Sequence, residues 1–289
     1  MEPSRLLLID GHNVIYRSFF AIRDLSTASG QPTNALFGFV KAVRVLRDAW
    51  RPTHGCVAFD GGLPRERLDR LESYKAQRPP MPDALRSQLP LVEEYLRAAR
   101  IASARREGEE ADDVIASLAR RAAADGAEVL IASTDKDLCQ LVGGGIALVA
   151  PAKSGGKTAA AEVVERLGVP PERVAEWLAL TGDASDNIPG IPGVGPKTAA
   201  RLLGEFGGLD GLWRRVEEVR PAGVRRALEE GRGVVERNLG IVRLKADLDA
   251  GIDWRACRWE GPDVPALRAF FERVEFRAMA RELSEPDLL

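Results

Sequence analysis

Nine acidic residues in this chain of 289 stand beside short apolar runs, and their type and placement point to divalent-metal chemistry. Asp10 ends the run RLLLID, Asp60 ends CVAFD, and Asp135 and Asp137 follow EVLIAST at once. Glu110, Asp112 and Asp113 lie in EGEEADDV, the densest acidic cluster, and Asp183 and Asp186 share the polar turn TGDASDN. A helix dipole accounts for one or two acids at a helix start. It does not account for aspartates that end buried strands, because crowded carboxylates raise one another's pKa values and require a cation. Magnesium takes one or two protein carboxylates directly and keeps its waters, so nine acids exceed the needs of one ion. Two ions about 3.5 to 4 Å apart, the arrangement suited to phosphodiester hydrolysis, would use the set, partly through water.

A second stretch has the makings of an anion site. In GIPGVGPKTA, Gly190, Gly193 and Gly195 permit positive φ and close backbone approach. Pro189 and Pro192 fix the turns, and Pro196 suits a first helical position. Backbone amides then gather at a helix N-terminus beside Lys197 and Thr198, a place for a nucleic-acid phosphate with no reading of bases. The segment from Gly61 to Pro82 is rich in Arg and Pro and has no hydrophobic period. Directly after Asp60, it can carry Arg67, Lys75 and Arg78 over the metal site to hold a phosphate or its strand. Tyr16 and Arg17, just past the first strand, are candidates for stacking on a base and gripping a phosphate.

These residues need elements to position them. The apolar runs that end in carboxylates read as buried parallel strands, and residues 33–47, 90–99 and 111–124 carry helical periodicity between them. Strand alternating with helix gives an open α/β sheet, whose ligands sit beyond the carboxyl ends of the strands, where the acids should converge. Further on, residues 216–230 and 234–244 read as two helices and 265–283 as a final amphipathic one, with Trp254 and Trp259 packing the returning tail. Two motifs are decoys. SGGKT at 154–158 has Pro151 where a nucleotide phosphate loop needs its first glycine, and it reads as a mobile linker. His12 and His54 are the only histidines, too few for a zinc constellation, and no ligand role is expected of His12.

A hydrophobic content of 45% fits a globular chain, and no apolar run exceeds strand length, so neither a membrane span nor a signal peptide is expected and the location is cytoplasmic. Cys56, Cys139 and Cys257 are odd in number and widely spread, which reads as buried reduced thiols. The net charge of −2 hides its distribution: with the nine acids set aside, 34 acids face 41 Lys and Arg. A basic path around an acidic pit is compatible with that balance.

In order along the chain, LIDGHNVIYRSFFA, VAFDG, SYKAQR, EEADDV, STDKDL, TGDASDN and GIPGVGPKTA together resemble the bacterial 5′-3′ exonuclease family. That family includes the N-terminal domain of DNA polymerase I and the flap endonucleases, and the resemblance runs from about Leu6 to the last helix. It implies an α/β, PIN-like fold: an open, mostly parallel sheet flanked by helices at 1–170, with a helical arch at about 65–100. At 171–289 it implies a C-terminal helical domain with a helix-three-turn-helix (helix-hairpin-helix) motif. Asp10, Asp60, Glu110, Asp112 and Asp113 would surround one metal, and Asp135, Asp137, Asp183 and Asp186 would place the second. Tyr16, Arg17, Lys75 and Arg78 match residues that meet the cleaved strand, the last three as catalytic cations.

The implied cofactors are two Mg2+ ions, with Mn2+ as a substitute and K+ on the hairpin carbonyls. The implied activity is that of a monomeric structure-specific 5′ nuclease of replication and repair, acting on DNA with a 5′ flap, nick or free 5′ end, and on RNA-DNA primer duplexes. Two alternatives belong beside it: a forked-DNA binder that does not cut, whose mark would be lost metal acids, and a ribonuclease H-like 5′ nuclease that removes RNA primers. None of the acids is lost. No polymerase region follows, as expected of a free-standing member or an excised domain. The chain departs from the family pattern at Glu66 and Glu109, where an aromatic residue and a tyrosine are usual, and in a small, polar stretch at 152–161.

Overall fold

The computed structural model describes residues 4–151 and 156–283. β1 (Arg5–Asp10) leads into α1 (Gly11–Ala21), α2 (Asn34–Trp50) and β2 (His54–Phe59). α3 (Arg65–Arg70), α4 (Asp83–Arg86) and α5 (Leu89–Ala98) follow, then β3 (Ala102–Arg105) and α6 (Ala111–Ala124). β4 (Glu128–Ala132), β5 (Ile146–Val149) and β6 (Lys157–Thr158) complete the sheet. Beyond it come α7 (Ala160–Leu167), α8 (Val174–Thr181), β7 (Gly182–Asp183) and β8 (Ile188–Pro189). α9 (Pro196–Phe206), α10 (Leu209–Arg214), α11 (Ala222–Val242), α12 (Val264–Arg273) and α13 (Arg277–Glu282) end the described chain.

The sheet runs β3-β2-β1-β4-β5-β6, parallel except for the last pair. Its central strands are apolar on both faces because both faces are covered. Along β1, Leu6 and Leu8 point into the cluster formed with α6, α8, α9 and α11, while Leu7 and Ile9 point into the one formed with α1, α2, α5 and α12. The strand order reverses at β1, with β2 on one side and β4 on the other, which opens a crevice at their carboxyl ends.

Three elements differ from the reading of the sequence. Residues 222–242 form one helix, not two: Gly231 is no break but a close approach, since a Cβ there would stand 2.4 Å from Ile191 Cδ1. The amphipathic tail is broken into α12 and α13 at Glu275, which has φ 61. Those two helices also do not belong with the C-terminal helical region assigned to 171–289. Leu267, Phe270, Phe271 and Met279 pack on the α2 and α5 side of the sheet, closing an apolar face that those helices leave open. Trp254 is buried and Trp259 covers Gly55, as expected for a returning tail.

The segment expected to form the arch, 65–100, carries α3, α4 and α5 joined by turns, and α5 is part of the core. Ser154 and Gly155 of the expected linker lie outside the described residues, whereas Lys157 and Thr158 pair with β5. All three cysteines are buried free thiols. Among the described residues no helix is long and apolar enough to cross a membrane.

Candidate metal centre and phosphate-binding surface

A cavity of about 540 Å³ opens at the carboxyl ends of the strands, lined by Asp10, Asp60, Glu110, Asp112, Asp135, Asp137, Asp183 and Asp186. Each acid is delivered by its element. Asp10 caps α1, its Oδ1 accepting from the Asn13 amide at 3.1 Å and its Oδ2 from the Ser133 hydroxyl at 2.9 Å. Asp60, one residue past β2, accepts from the Ala111 amide at 2.8 Å and so ties β2 to the start of α6. Asp135 Oδ1 accepts from the Asp137 amide at 2.9 Å, and Asp183 Oδ1 from the Ser185 amide at 2.8 Å.

The acids are electrostatically crowded. Burial, together with Asp60 and Asp135, pushes Asp10 up to about 6. Burial and Asp135 push Asp137 up to about 8, and its Oδ1 is buried without a hydrogen-bond partner among the described residues. Burial and the charges of Asp10, Asp135 and Asp137 raise Asp112. Asp60 goes the other way: burial would raise it, but His12, the Ala111 amide and Lys75 bring it down to about 2.

The protein's own cations partly answer this charge. Lys75 pairs with Glu110 and stands 3.7 Å from Asp186, Arg78 Nη2 donates to Asp186 at 2.6 Å, and Lys136 Nζ donates to Asp183 at 2.5 Å. The turns around Lys75 lie directly on the second acidic turn, with the Lys75 amide donating to the Asp186 carbonyl at 2.9 Å and Asn187 reaching the Ser73 carbonyl at 2.8 Å. Among the described residues no three of the acids close on a single point as direct ligands.

Two expected site residues are held by the protein itself, Asp113 outside the cavity and Arg67 in its wall. Asp113 does not line the cavity: it is wholly buried one position around α6 from Asp112, about 100° away, and its Oδ1 binds Arg67 Nη2 at 2.8 Å and the Lys245 amide at 2.9 Å. Arg67, expected among the DNA contacts, is 3% exposed and locked between Glu110 and Asp113. It neutralises the floor of the site and offers little surface to a strand. Of the remaining candidates of this group, Arg17 and Arg78 are exposed and Tyr16 is half-buried on the cavity wall, whereas the Lys75 side chain is largely buried in that wall.

The hairpin follows the same chain segment. Gly190 serves the β7–β8 crossing, where a Cβ would stand 2.1 Å from the Thr181 carbonyl oxygen, and is only partly exposed. Gly193 has φ 77, Gly195 is the N-cap of α9, and no side chain caps that helix. Lys197 is exposed in the first turn, with Thr198 half-buried beside it, so the helix N-terminus opens to solvent. Val194 and Ile191 anchor the loop into the core, and Asn238 on α11 donates to the Pro189 carbonyl at 2.8 Å.

Some site residues went unread in the sequence. Tyr74 donates to Glu110 at 3.0 Å from a buried position, Ser133 holds Asp10, and Lys136 holds Asp183. Tyr74 and Lys136 are immediate neighbours of residues singled out above and Ser133 is two positions from Asp135, and that closeness is the available signal. His12, to which no role was given, has Nδ1 3.1 Å from Asp60 Oδ2 and 3.2 Å from the Asp60 amide.

Residues 5–168 match the family model for the 5′-3′ exonuclease N-terminal resolvase-like domain, and residues 169–265 match that for the 5′-3′ exonuclease C-terminal SAM fold. This chain belongs to the 5′-3′ exonuclease family. It is 36% identical over 280 residues to a protein of Aquifex aeolicus named 5′-3′ exonuclease, a match covering 97% of this chain and 95% of that one. It is 37% identical over 281 residues to the thermostable DNA polymerase I of Thermus filiformis. That match covers 97% of this chain and 33% of the polymerase, so the chain spans about a third of the length of such relatives.

Solved structures share the fold. A T5 5′-exonuclease with divalent zinc bound is 23% identical at a TM-score of 0.68, covering 97% of this chain and 100% of that one. The catalytic core of Rad2 in complex with a DNA substrate is 20% identical at a TM-score of 0.65, covering 100% and 93%. Glu66 and Glu109, far apart in sequence, both meet Lys245, at 3.3 and 2.8 Å, and so form one clasp between the base of α3, the start of α6 and the segment after α11.

Proposed function

We propose that the chain is a structure-specific 5′ nuclease that hydrolyses phosphodiesters of DNA bearing a 5′ flap, nick or free 5′ end, in the cytoplasm and as a monomer. The observation that carries this reading is a single cavity walled by eight carboxylates and crossed by Lys75 and Arg78. The donor set fits hydrated divalent ions: all-oxygen side chains, the raised pKa values of Asp10 and Asp137 and an orphaned Asp137 oxygen, with no close-set group of three or more ligands among the described residues. Asp10, Asp60, Glu110 and Asp112 would hold one ion and Asp135, Asp137, Asp183 and Asp186 the other, with Asp113 acting from below through Arg67. When bound, two magnesium ions, or manganese in their place, supply Lewis acidity to the scissile phosphate.

The chain's own residues do the rest. Lys75 and Arg78, paired with Glu110 and Asp186, are placed at the cavity where they would hold the phosphate once those acids held metal. Tyr16 offers a ring and Arg17 a guanidinium at the rim, where a strand would enter. Gly193, Gly195, Lys197 and Thr198 would grip the duplex backbone at the N-terminus of α9, and the carbonyls of the hairpin would accept K+. The working division is a sheet region to about residue 170 and a helical region beyond it, with α12 and α13 packed back on the first.

Incubation with labelled 5′-flap DNA and with an RNA-primed duplex, with and without magnesium, tests this. Metal-dependent release of 5′-terminal products from the flap supports it. Binding without cutting under any divalent metal would reduce the chain to a forked-DNA binder, and cutting of the RNA-primed duplex alone would make it a primer-removing enzyme.

A further inference from the structure

We propose that a recess between α1 and α2, outside the acid cavity, is a subsite for one unpaired nucleotide of the strand being cut; this rests on the nuclease reading above. The recess has a volume of about 280 Å³, with apolar walls that include Val14, Ile22, Val45 and Pro151 and two cations, Arg17 and Lys41, at its edge. Among the described residues no carboxylate lines it. Among the described residues neither cation is in an ion pair: Arg17 Nη1 donates to the Thr134 hydroxyl at 3.3 Å, and Lys41 Nζ lies 5.5 Å from the centre of the Phe37 ring. Two cations without counter-charge beside an apolar recess complement a ligand with an anionic end and a flat apolar body, which is the chemistry of a nucleotide.

Its position ties the recess to the reaction. Arg17 lines both this recess and the acid cavity, so one guanidinium stands at the border of the two. That guanidinium is braced, because the Thr134 hydroxyl that receives it donates in turn to Asn13 Oδ1 at 3.2 Å. Asn13 and Thr134 each lie within three residues of a cavity acid, Asp10 and Asp135, so the brace and the acids share one scaffold. The depth of the recess is set by Gly38: a Cβ there would stand 2.5 Å from Ser18 Cβ and wedge the two helices apart. At the small end of ligand cavities, which begin near roughly 300 Å³, it admits one base and excludes a base pair. A strand leaving the acid cavity across Arg17 would place its next phosphate between Arg17 and Lys41 and its base against the apolar wall.

Backbone amide shifts on titration with thymidine 5′-monophosphate test this directly, because that probe needs neither metal nor cutting. The expected result is movement of Ala21, Ile22, Gly38 and Lys41, with thymidine alone and inorganic phosphate alone each binding about tenfold more weakly. Lys41→Ala should lose the monophosphate while keeping its thermal midpoint, and Asp112→Asn with Asp183→Asn should retain it. Shifts confined to the acid cavity, equal binding of inorganic phosphate, or an unchanged Lys41→Ala would each overturn the subsite. In the intact reaction, an abasic residue at one position beside the cut should weaken flap binding, and a recess-filling Ala21→Trp should erase that position's effect. Absence of flap cutting would sink the nuclease reading alone, since the monophosphate titration would still decide the recess.

Discussion

In the acid cavity, charge arrives on side chains from five separate segments between Asp10 and Asp186, and several groups there are forced away from their ordinary pKa values. In the glycine hairpin, one contiguous stretch from Gly190 to Ala199 offers backbone groups, and its outer residues stand in solvent. The cavity exists only once the sheet has closed, and it concentrates like charge at a cost that a cation relieves. The hairpin is almost complete as a local turn and holds no such tension. Substitutions should therefore be severe and all-or-none in the first region and graded in the second.

The largest expected effect is on chemistry. Asp112→Asn combined with Asp183→Asn should abolish flap cutting while metal-free flap binding persists; if binding disappears along with the fold, the two regions are not separable in the way described. Next comes stability. Arg67→Met leaves Asp113 buried without a countercharge and Glu110 with Lys75 alone, and should lower unfolding stability by about 3–5 kcal/mol in a denaturant titration. A loss no larger than that of an exposed arginine would mean the floor of the cavity is wetter than its burial indicates.

A third effect is in pH. Asp10 and Asp137 have folded pKa values near 6 and 8, above the 3.8 of the unfolded chain, so between these values the folded state binds more protons than the unfolded one. Stability without divalent metal should fall as pH rises from 4 to 8, and added magnesium should restore more of it at pH 8 than at pH 5. Thermal midpoints in chelator and in magnesium across that range are the check; a chelated protein that gains stability toward pH 8 would contradict the crowding. Smallest is Lys197→Glu, which should weaken duplex binding and reduce the salt slope by about one unit without changing the magnesium-induced rise in midpoint.

The same contrast explains what could be read from the sequence. Strand-terminal carboxylates such as Asp10 and Asp135 are legible because an apolar run followed by an acid has one common structural meaning, and GIPGVGPKTA is legible because its constraints are local. Asp113 was not, since its direction on α6 is fixed by Arg67, which lies 46 residues away. His12 is not legible because two lone histidines suggest no metal set, whereas its partner is the carboxylate of Asp60, 48 residues away. The join at Gly231 was hidden because its reason is Ile191, a packing partner that no helical period reveals. The placement of α12 and α13 was hidden because an amphipathic tail does not say which face it will cover.

That returning tail has a mechanical meaning. The chain leaves the sheet after β6, builds the helical region, and comes back to β2, where the Gly55 amide donates to the Cys257 carbonyl at 2.8 Å and His54 bridges Arg258. The helical region thus has two feet on the same platform and no lone hinge about which to swing. A duplex held by its outermost hairpin would lie at a set span from the acids, so the spacing of those two grips would gauge where along the strand the cut falls.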